Sequence, residues 1–491
     1  MAEEESLHNK ATTAFAWSAF ERFGQLGCAF IVQIVLARLL APELFGLIAM
    51  VAVFITISNA LIDAGFSKAL IQRKQLTDLD VTSVFYFNLS AAILMASFLY
   101  AIAPAIAQFY ASEELISIVR LLSVSLIFSG LGAVHQAKLS REMQFKKLFY
   151  ASFPATLCSG ILGVLMALLG YGVWALVAQT LLLKSMVTVL LWKYSGWGPS
   201  LAFDFRSIRE MFPYASRLAA SGVLDAVFSN AYVLVIGKVF NPIEVGLFQR
   251  ARSFQQLPAE NIQMIVSRVT FPLFASVQDD PVRMRRGMRK TIFLVSLLLL
   301  PGMALLAAIA EPMILLLIGE KWLASVPYLQ LLCIIGALYP LHAMNVNLLA
   351  AIGRSDLFLR LEVIKKSLMV VNIFITYRFG VQVMICGMIV TSCMSLMINT
   401  FFTKRFLDYG LCEQIKDLRP IIILTLSVFA GAYCLSLELE LPPFLLLCTQ
   451  CLLAGIQCLV ALKFFNSFMK DEISKLLERL PMGRIFIRTF L

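Results

Sequence analysis

Charge is scarce in this chain. Only 14% of its 491 residues are charged, against 60% hydrophobic, and the mean hydropathy is +0.83. A soluble core cannot bury so much apolar surface, so a water-soluble globular protein is excluded. Histidine is scarcer still. His8, His135 and His342 are too dispersed for a ligand cluster. The ten cysteines are scattered, mostly in apolar runs such as those around Cys333, Cys386 and Cys393, and no C-x-x-C pair has a matching second pair. They read as small hydrophobes, so neither a metal nor another cofactor is expected. There is no G-x-x-x-x-G-K-[ST] loop, which excludes a self-contained ATP-driven pump. There is no G-x-S-x-G elbow and no H-E-x-x-H pair. The loops expected on the outer side are mostly under about ten residues, too short to carry a catalytic domain. An enzyme is therefore not expected. Residues 1–5 lack the basic region of a cleaved signal peptide, so the first apolar run is expected to remain as a helix.

What the chain has is long apolar segments. They fall at 13–37, 45–64, 84–106, 117–134, 151–169, 173–192, 213–236, 251–275, 291–318, 327–351, 362–379, 381–402, 420–437 and 443–464. Each is near the ~20 residues that cross the hydrocarbon as a helix. Lipid leaves no backbone group unpaired, and no alternating ten-residue pattern suggests a barrel. The expected fold is an all-α polytopic membrane protein of about fourteen transmembrane helices. The eighth segment is the least apolar, with Arg252, Glu260 and Arg268.

Cations alternate between the two sides. The loops after even-numbered spans are dense in them, as in Lys138, Arg141, Lys146 and Lys147, or Arg283, Arg285, Arg286, Arg289 and Lys290. The opposite loops carry Arg38, Lys238, Arg250, Lys321 and Arg378. The positive-inside rule then puts both termini in the cytoplasm. The net charge of +11 faces anionic headgroups, and nothing further supports nucleic-acid binding. Two segments look interfacial: 204–212, with Arg206 and Arg209 among Phe205, Ile208, Met211 and Phe212, and the tail after Asn466. A tail helix packed on the cytoplasmic loops is equally consistent.

The chain also repeats itself. Residues 37–47 (ARLLAPELFGL) match 237–247 (GKVFNPIEVGL) with a cation, a Pro, a Gly and a Leu in register. Each copy links one long apolar segment to the next. Internal repeats are a common way to build transporters. Pro42, Gly46, Pro242 and Gly246 mark the two turns.

Function should be sought in charges at membrane depth, because such groups usually face a cavity or a partner. Glu21 and Arg22 lie in span 1, Asp63 closes span 2, and Lys184 sits mid-way along span 6. Arg217 and Asp225 share one face of span 7, and Arg250 and Arg252 open span 8. Arg22, Lys184, Arg217 and Arg250 are candidate ligands for an anionic solute, since fixed cations grip phosphate or carboxylate. Arg22 and Arg217 could equally snorkel to the surface. Glu21, Asp63 and Asp225 are candidate coupling groups, or else neutral structural carboxylates. Ser18, Gln25 and Gln33 in span 1 and Ser221, Ser229 and Asn230 in span 7 fit either a hydrated cavity or interhelical hydrogen bonds.

Several stretches in the right order resemble the Wzx-type polysaccharide transporters, relatives of the MATE exporters and lipid II flippases. They are 37–50, 63–74 (DAGFSKALIQRK), 170–179 (GYGVWALVAQ), 195–197 (SGW), 246–251 (GLFQRA), Phe271-Pro272 with 278–280 (QDD), and 319–322 (GEKW). The resemblance runs from about residue 12 to 405. It implies two six-helix lobes, 1–200 and 201–410, and a terminal helix pair with a tail over 411–491. It also implies alternating access around a cavity lined by spans 1, 2, 7 and 8. The cargo implied is an oligosaccharide on polyprenyl pyrophosphate, flipped from the cytoplasmic to the outer leaflet of the inner membrane for lipopolysaccharide or exopolysaccharide synthesis. The partners implied are that lipid-linked oligosaccharide, membrane lipids, and a polysaccharide polymerase with its export machinery, around a monomeric transporter. One departure stands out. Where many relatives carry an Asp-Lys pair near the end of span 7, this chain has Tyr232 and Val233. Asp225, seven residues earlier and on the same face, is the acid that could substitute. The rival reading is a cation-coupled, MATE-like exporter of small solutes. A drug exporter of organic cations should present acids in its cavity, and here cations outnumber them. A non-transporting scaffold is the third reading.

Overall fold

The structure is a computed structural model describing residues 24–63, 65–73, 76–277, 280–438 and 441–463. Among them every regular element is a helix. In chain order these are α1 (Gly24–Leu39), α2 (Pro42–Asp63), α3 (Phe66–Gln72), α4 (Asp78–Tyr110), α5 (Glu114–Arg141), α6 (Phe145–Leu168), α7 (Val173–Ser195) and α8 (Phe205–Val239). Then come α9 (Pro242–Ser276), α10 (Pro281–Ala308), α11 (Ala310–Leu317), a 3₁₀ turn (Glu320–Ser325), α12 (Val326–Ala351), α13 (Ser355–Thr376), α14 (Val381–Leu407), α15 (Leu411–Glu438) and α16 (Pro443–Lys463). Two compact units divide at Gly246 and Leu247.

Helix ends follow local chemistry. Thr77 and Asp80 form a reciprocal capping box at the start of α4, which stops at Ala111 in the left-handed conformation (φ 53°). Asp280 caps α10, whose first residue is Pro281. In the first unit α4 pairs with α5 and α6 with α7, α5 also packs on α7, and α2 packs on α5 and α8. The unit holds an apolar cluster of Phe66, Val84, Phe85, Val134, Ile208 and Met211. In the second unit α10 packs against both α12 and α15, α12 against α14, and α15 against α16. The terminal pair is thus built onto α10 through Met288, Ile292, Leu418 and Ile421.

Eleven of the described helices are long and apolar enough to cross a membrane. The other expected spans also lie on helices, but fail that test for visible reasons. α1 is described only from Gly24. α9 carries Arg250, Arg252 and Glu260, and α13 carries Glu362, Lys365 and Lys366. Span 291–318 is not one helix. It breaks at Ile309, because Pro312 has no N–H for the carbonyl of Ala308 and a new short helix starts at Ala310. The segment 204–212 is not separate either. It is the first part of α8, whose 35 residues reach about 52 Å, well beyond the ~30 Å hydrocarbon. The tail after Asn466 lies outside the described residues.

Candidate functional site

Lys184 is the most informative candidate. Along α7 its neighbours at helical spacing are Thr180, Leu181, Val187 and Thr188; Thr188 is buried and the other three are half-buried. Thr188 donates its hydroxyl to the Phe128 carbonyl of α5 at 2.8 Å. Lys184 is itself exposed, one turn before the buried Thr188. Val189, on the far side, is the lipid-facing type, 64% exposed. Among the described residues the Lys184 ammonium has no hydrogen bond or ion pair. An unpaired cation half-way along a helix of membrane-spanning length needs a hydrated surrounding or an anionic guest.

On α8, Arg217 and Asp225 are both exposed, and Arg217 likewise has no partner among the described residues. The polar residues near the end of α8 spend themselves on their own helix. Asn230 and Ser229 both donate to the Ala226 carbonyl, at 2.8 and 3.3 Å. Tyr232 and Val233 are buried. Asp63 has a local partner. Its Oδ1 accepts the Ser67 N–H at 3.3 Å, capping the first turn of α3. Glu21 and Arg22 lie outside the described residues.

In the second unit the Arg250 guanidinium sits 5.2 Å from the centre of the Trp322 ring, which is fully buried in the 3₁₀ turn. This is cation–π distance. It holds Arg250 near the start of α9 beside the repeat turn. Arg250 and Arg252 belong to the second unit, and Lys184, Arg217, Asp63 and Asp225 to the first.

Polar clusters that sequence reading missed are also here. His342 on α12 pairs through Nε2 with Ser392 Oγ at 3.0 Å and through Nδ1 with the Asn399 amide at 3.1 Å. Asn345 and Gln414 exchange amide hydrogen bonds at 3.1 and 3.0 Å. Tyr409 donates to Asp417 at 2.9 Å, and Arg289 grips the same carboxylate at 2.5 Å. Burial, then the Asp417 charge, pushes the Tyr409 phenol above its ordinary range. The signal was available, because an amide or imidazole within an apolar span needs a partner.

The two repeat turns meet each other. A Cβ at Gly46 would land on the carbonyl of Pro242, and a Cβ at Gly246 on the carbonyl of Pro42. Each glycine thus presses its Cα onto the first turn of the other's helix, the geometry of paired Cα–H···O contacts. Gly237 lies against Met50 Cε and Tyr110 Cε1, where a Cβ would approach to 2.8 and 2.9 Å. Beside it, Lys238 Nζ donates to the Phe109 carbonyl at 2.6 Å and lies 4.8 Å from the Phe109 ring. That places a cation on the C-terminal carbonyls of α4, where the helix dipole favours it.

Comparison with known proteins gives three sets of relatives. The chain is similar to teichuronic acid biosynthesis protein TuaB of Bacillus subtilis (29% identical, covering 61% of this chain and 62% of that protein). It is similar to lipopolysaccharide biosynthesis protein WzxC of Escherichia coli (25%, 89% of each) and to succinoglycan biosynthesis transport protein ExoT of Rhizobium meliloti (28%, 63% of each). The matched stretch thus spans less than two thirds of TuaB and ExoT, but most of WzxC. Among solved structures, lipid II flippase MurJ in an inward closed conformation covers 91% of this chain, with 98% of its own length matched, at a TM-score of 0.73 and 15% identity. An inward-facing MATE multidrug transporter covers 78%, with 94% of its own length matched, at 0.62 and 15% identity. At that identity the likeness shows the fold. The family model described as polysaccharide biosynthesis protein matches residues 35–327, more than half of the chain, and the chain belongs to that family.

Proposed function

We propose that this protein flips a polyprenyl-pyrophosphate-linked oligosaccharide from the cytoplasmic to the outer leaflet of a bacterial inner membrane by alternating access. The reading rests on its family and on relatives named for lipopolysaccharide, teichuronic acid and succinoglycan synthesis. The observation that carries it is Lys184, an exposed cation half-way along α7, one turn from the buried Thr188 and unmatched among the described residues. A pyrophosphate is the anionic guest such a group would hold, while the prenyl tail stays in lipid. Arg22, Arg217 and Arg250 are the further cations proposed for the head group. Glu21 and Asp225 are the proposed coupling acids. Asp63 is the weaker coupling candidate, because its carboxylate caps α3. No catalysis is assigned to the chain. Fourteen spans, lobes at 1–200 and 201–410 with a terminal region at 411–491, cytoplasmic termini, a monomeric state, and cooperation with a polymerase and export machinery belong to the same proposal.

The test is in cells lacking the gene. Polyprenyl-linked repeat units should accumulate while the surface polysaccharide disappears, and wild-type protein, but not Lys184→Gln, should reverse both. An unchanged lipid pool with altered sensitivity to small toxic solutes would overturn the reading in favour of an exporter.

A further inference from the structure

We infer that the seam between α4 and α5 is a binding site for the phosphate group of a lipid, formed by Arg120 over Tyr100. The inference goes beyond the transport reading and needs only that these helices span a membrane. Arg120 is a cation inside the expected span 117–134, not in a loop. Its guanidinium carbon lies 4.8 Å from the centre of the Tyr100 ring. The ring face attracts the charge, but it leaves the five N–H groups of a guanidinium without proper acceptors. Nε is buried and has no hydrogen-bond partner. Among the described residues no hydrogen bond or ion pair reaches this guanidinium. Glu113 and Glu114 at the start of α5 are exposed and make no ion pair with it. Ser123, one turn on, spends its hydroxyl on the Arg120 backbone carbonyl at 2.7 Å.

Depth and surroundings say what the missing acceptor is. Arg120 stands six residues into α5, and Tyr100 ten residues before the end of α4. At the helical rise these are about 9 and 15 Å from the tip of the hairpin. A snorkelling arginine leans toward its helix start and the water beyond. Arg120 instead reaches a ring rooted deeper than its own Cα. The 33 residues of α4 reach about 50 Å, roughly 20 Å more than the hydrocarbon. With that excess shared between its ends, the pair stands near the headgroup boundary, at the outer side by the distribution of cations. Tyr100 is 53% exposed, and Phe98, Leu121 and Val124 on the same two helices are large, apolar and exposed. That is a face turned to lipid. The acceptors that a bilayer offers there are phosphate and ester oxygens. A phosphate takes two guanidinium N–H groups side by side and supplies the countercharge that the ring only approximates. The platform is fixed, because α4 and α5 pack along their length through the buried Leu99, Ala103, Ile118, Val119 and Leu122. A bilayer phospholipid and a polyprenyl phosphate present the same chemistry to it.

The experiment uses the full chain with native cysteines replaced and a fluorophore on Ser117→Cys, an exposed position one turn before Arg120. The protein is placed in vesicles of digalactosyldiacylglycerol, a lipid without phosphate. Phosphatidylglycerol with a nitroxide high on one acyl chain is then added in rising share. Quenching should saturate at a low share of that lipid, and Arg120→Gln should raise the midpoint about tenfold, the scale of one charge-assisted hydrogen bond. Tyr100→Leu should raise it about threefold, and Tyr100→Phe, which keeps the ring, should leave it near the wild-type value. Unlabelled phosphatidylglycerol and unlabelled polyprenyl phosphate should each reverse the quenching, and the one that does so at the lower share is the source of the phosphate. The inference is overturned if quenching rises in simple proportion to nitroxide lipid, or if Arg120→Gln keeps the wild-type midpoint. It is also overturned if nitroxide diacylglycerol, which has no phosphate, quenches as well as the phospholipid. Tyr100→Leu keeps the charge in place, so the site stays testable should Arg120→Gln fail to fold, and an unmoved midpoint in that variant overturns it too.

Discussion

Polar side chains have different fates in two parts of the molecule. In the second, they satisfy one another: His342 with Ser392 and Asn399, Asn345 with Gln414, Tyr409 with Asp417 and Arg289. In the first, Lys184 and Arg217 are exposed and have no partner among the described residues. A buried polar pair contributes to stability only by being complete, because a half-made pair costs the desolvation of the orphan. An unpaired, accessible cation contributes nothing to packing. The contrast separates helices bound together by polar pairs from a helix that keeps a charge available.

The sharpest way to break this contrast is to neutralise Lys184. Lys184→Gln should reduce flipping of lipid-linked saccharide by roughly tenfold to a hundredfold, the scale of one or two charge-assisted hydrogen bonds. Thermal stability should stay the same or rise, since no partner is orphaned. Lys184→Arg should retain much of the activity. A Lys184→Gln protein that unfolds several degrees earlier would place Lys184 with the structural polar groups instead.

The opposite behaviour is expected at Asn345 and Gln414. Gln414→Leu strands the Asn345 amide, and also removes the donor to the Tyr409 carbonyl. Either single replacement by Leu should cost about 1–3 kcal/mol. The double replacement should cost less than the sum, because both halves of the pair leave together. Flipping per folded molecule should be unchanged. Additive losses in a double-mutant cycle would mean that the two amides do not act as a pair.

This division also says what a sequence can reveal. The helices were legible because lipid demands about twenty apolar residues and a paired backbone. The span count was less so. Glu362, Lys365 and Lys366 dilute α13, and the break at Ile309 turns on the single missing N–H of Pro312. The turns at Pro42 and Pro242 were legible as repeats, but not as neighbours, because nothing in a repeat says that its copies touch. Lys184 stood out by type and depth alone. His342 and Asn399 are 57 residues apart, and no local pattern joins them. Asp63 has a local role as well as its depth in the sequence. An Asp two residues before Gly65 and four before Ser67 is a helix-capping pattern, and it competes with any coupling role.

The smallest effect is expected where α8 begins. Asp204 accepts the N–H groups of Arg206 and Ser207 at 2.9 and 3.2 Å, and the Ser207 hydroxyl at 2.9 Å. These bonds, that of Arg206 first, hold its carboxyl below the usual carboxylate range. The cap is present above the ordinary aspartate pKa and is lost as pH falls through the lowered one. Asp204→Ala should therefore speed amide exchange at Arg206 and Ser207 at neutral pH, with flipping untouched. Acidification should bring the wild type toward the variant only below the usual aspartate range. If exchange in the two proteins already coincides at neutral pH, the first turn of α8 is held by its buried face, Ser207, Ile208, Met211 and Ala215, and not by its cap.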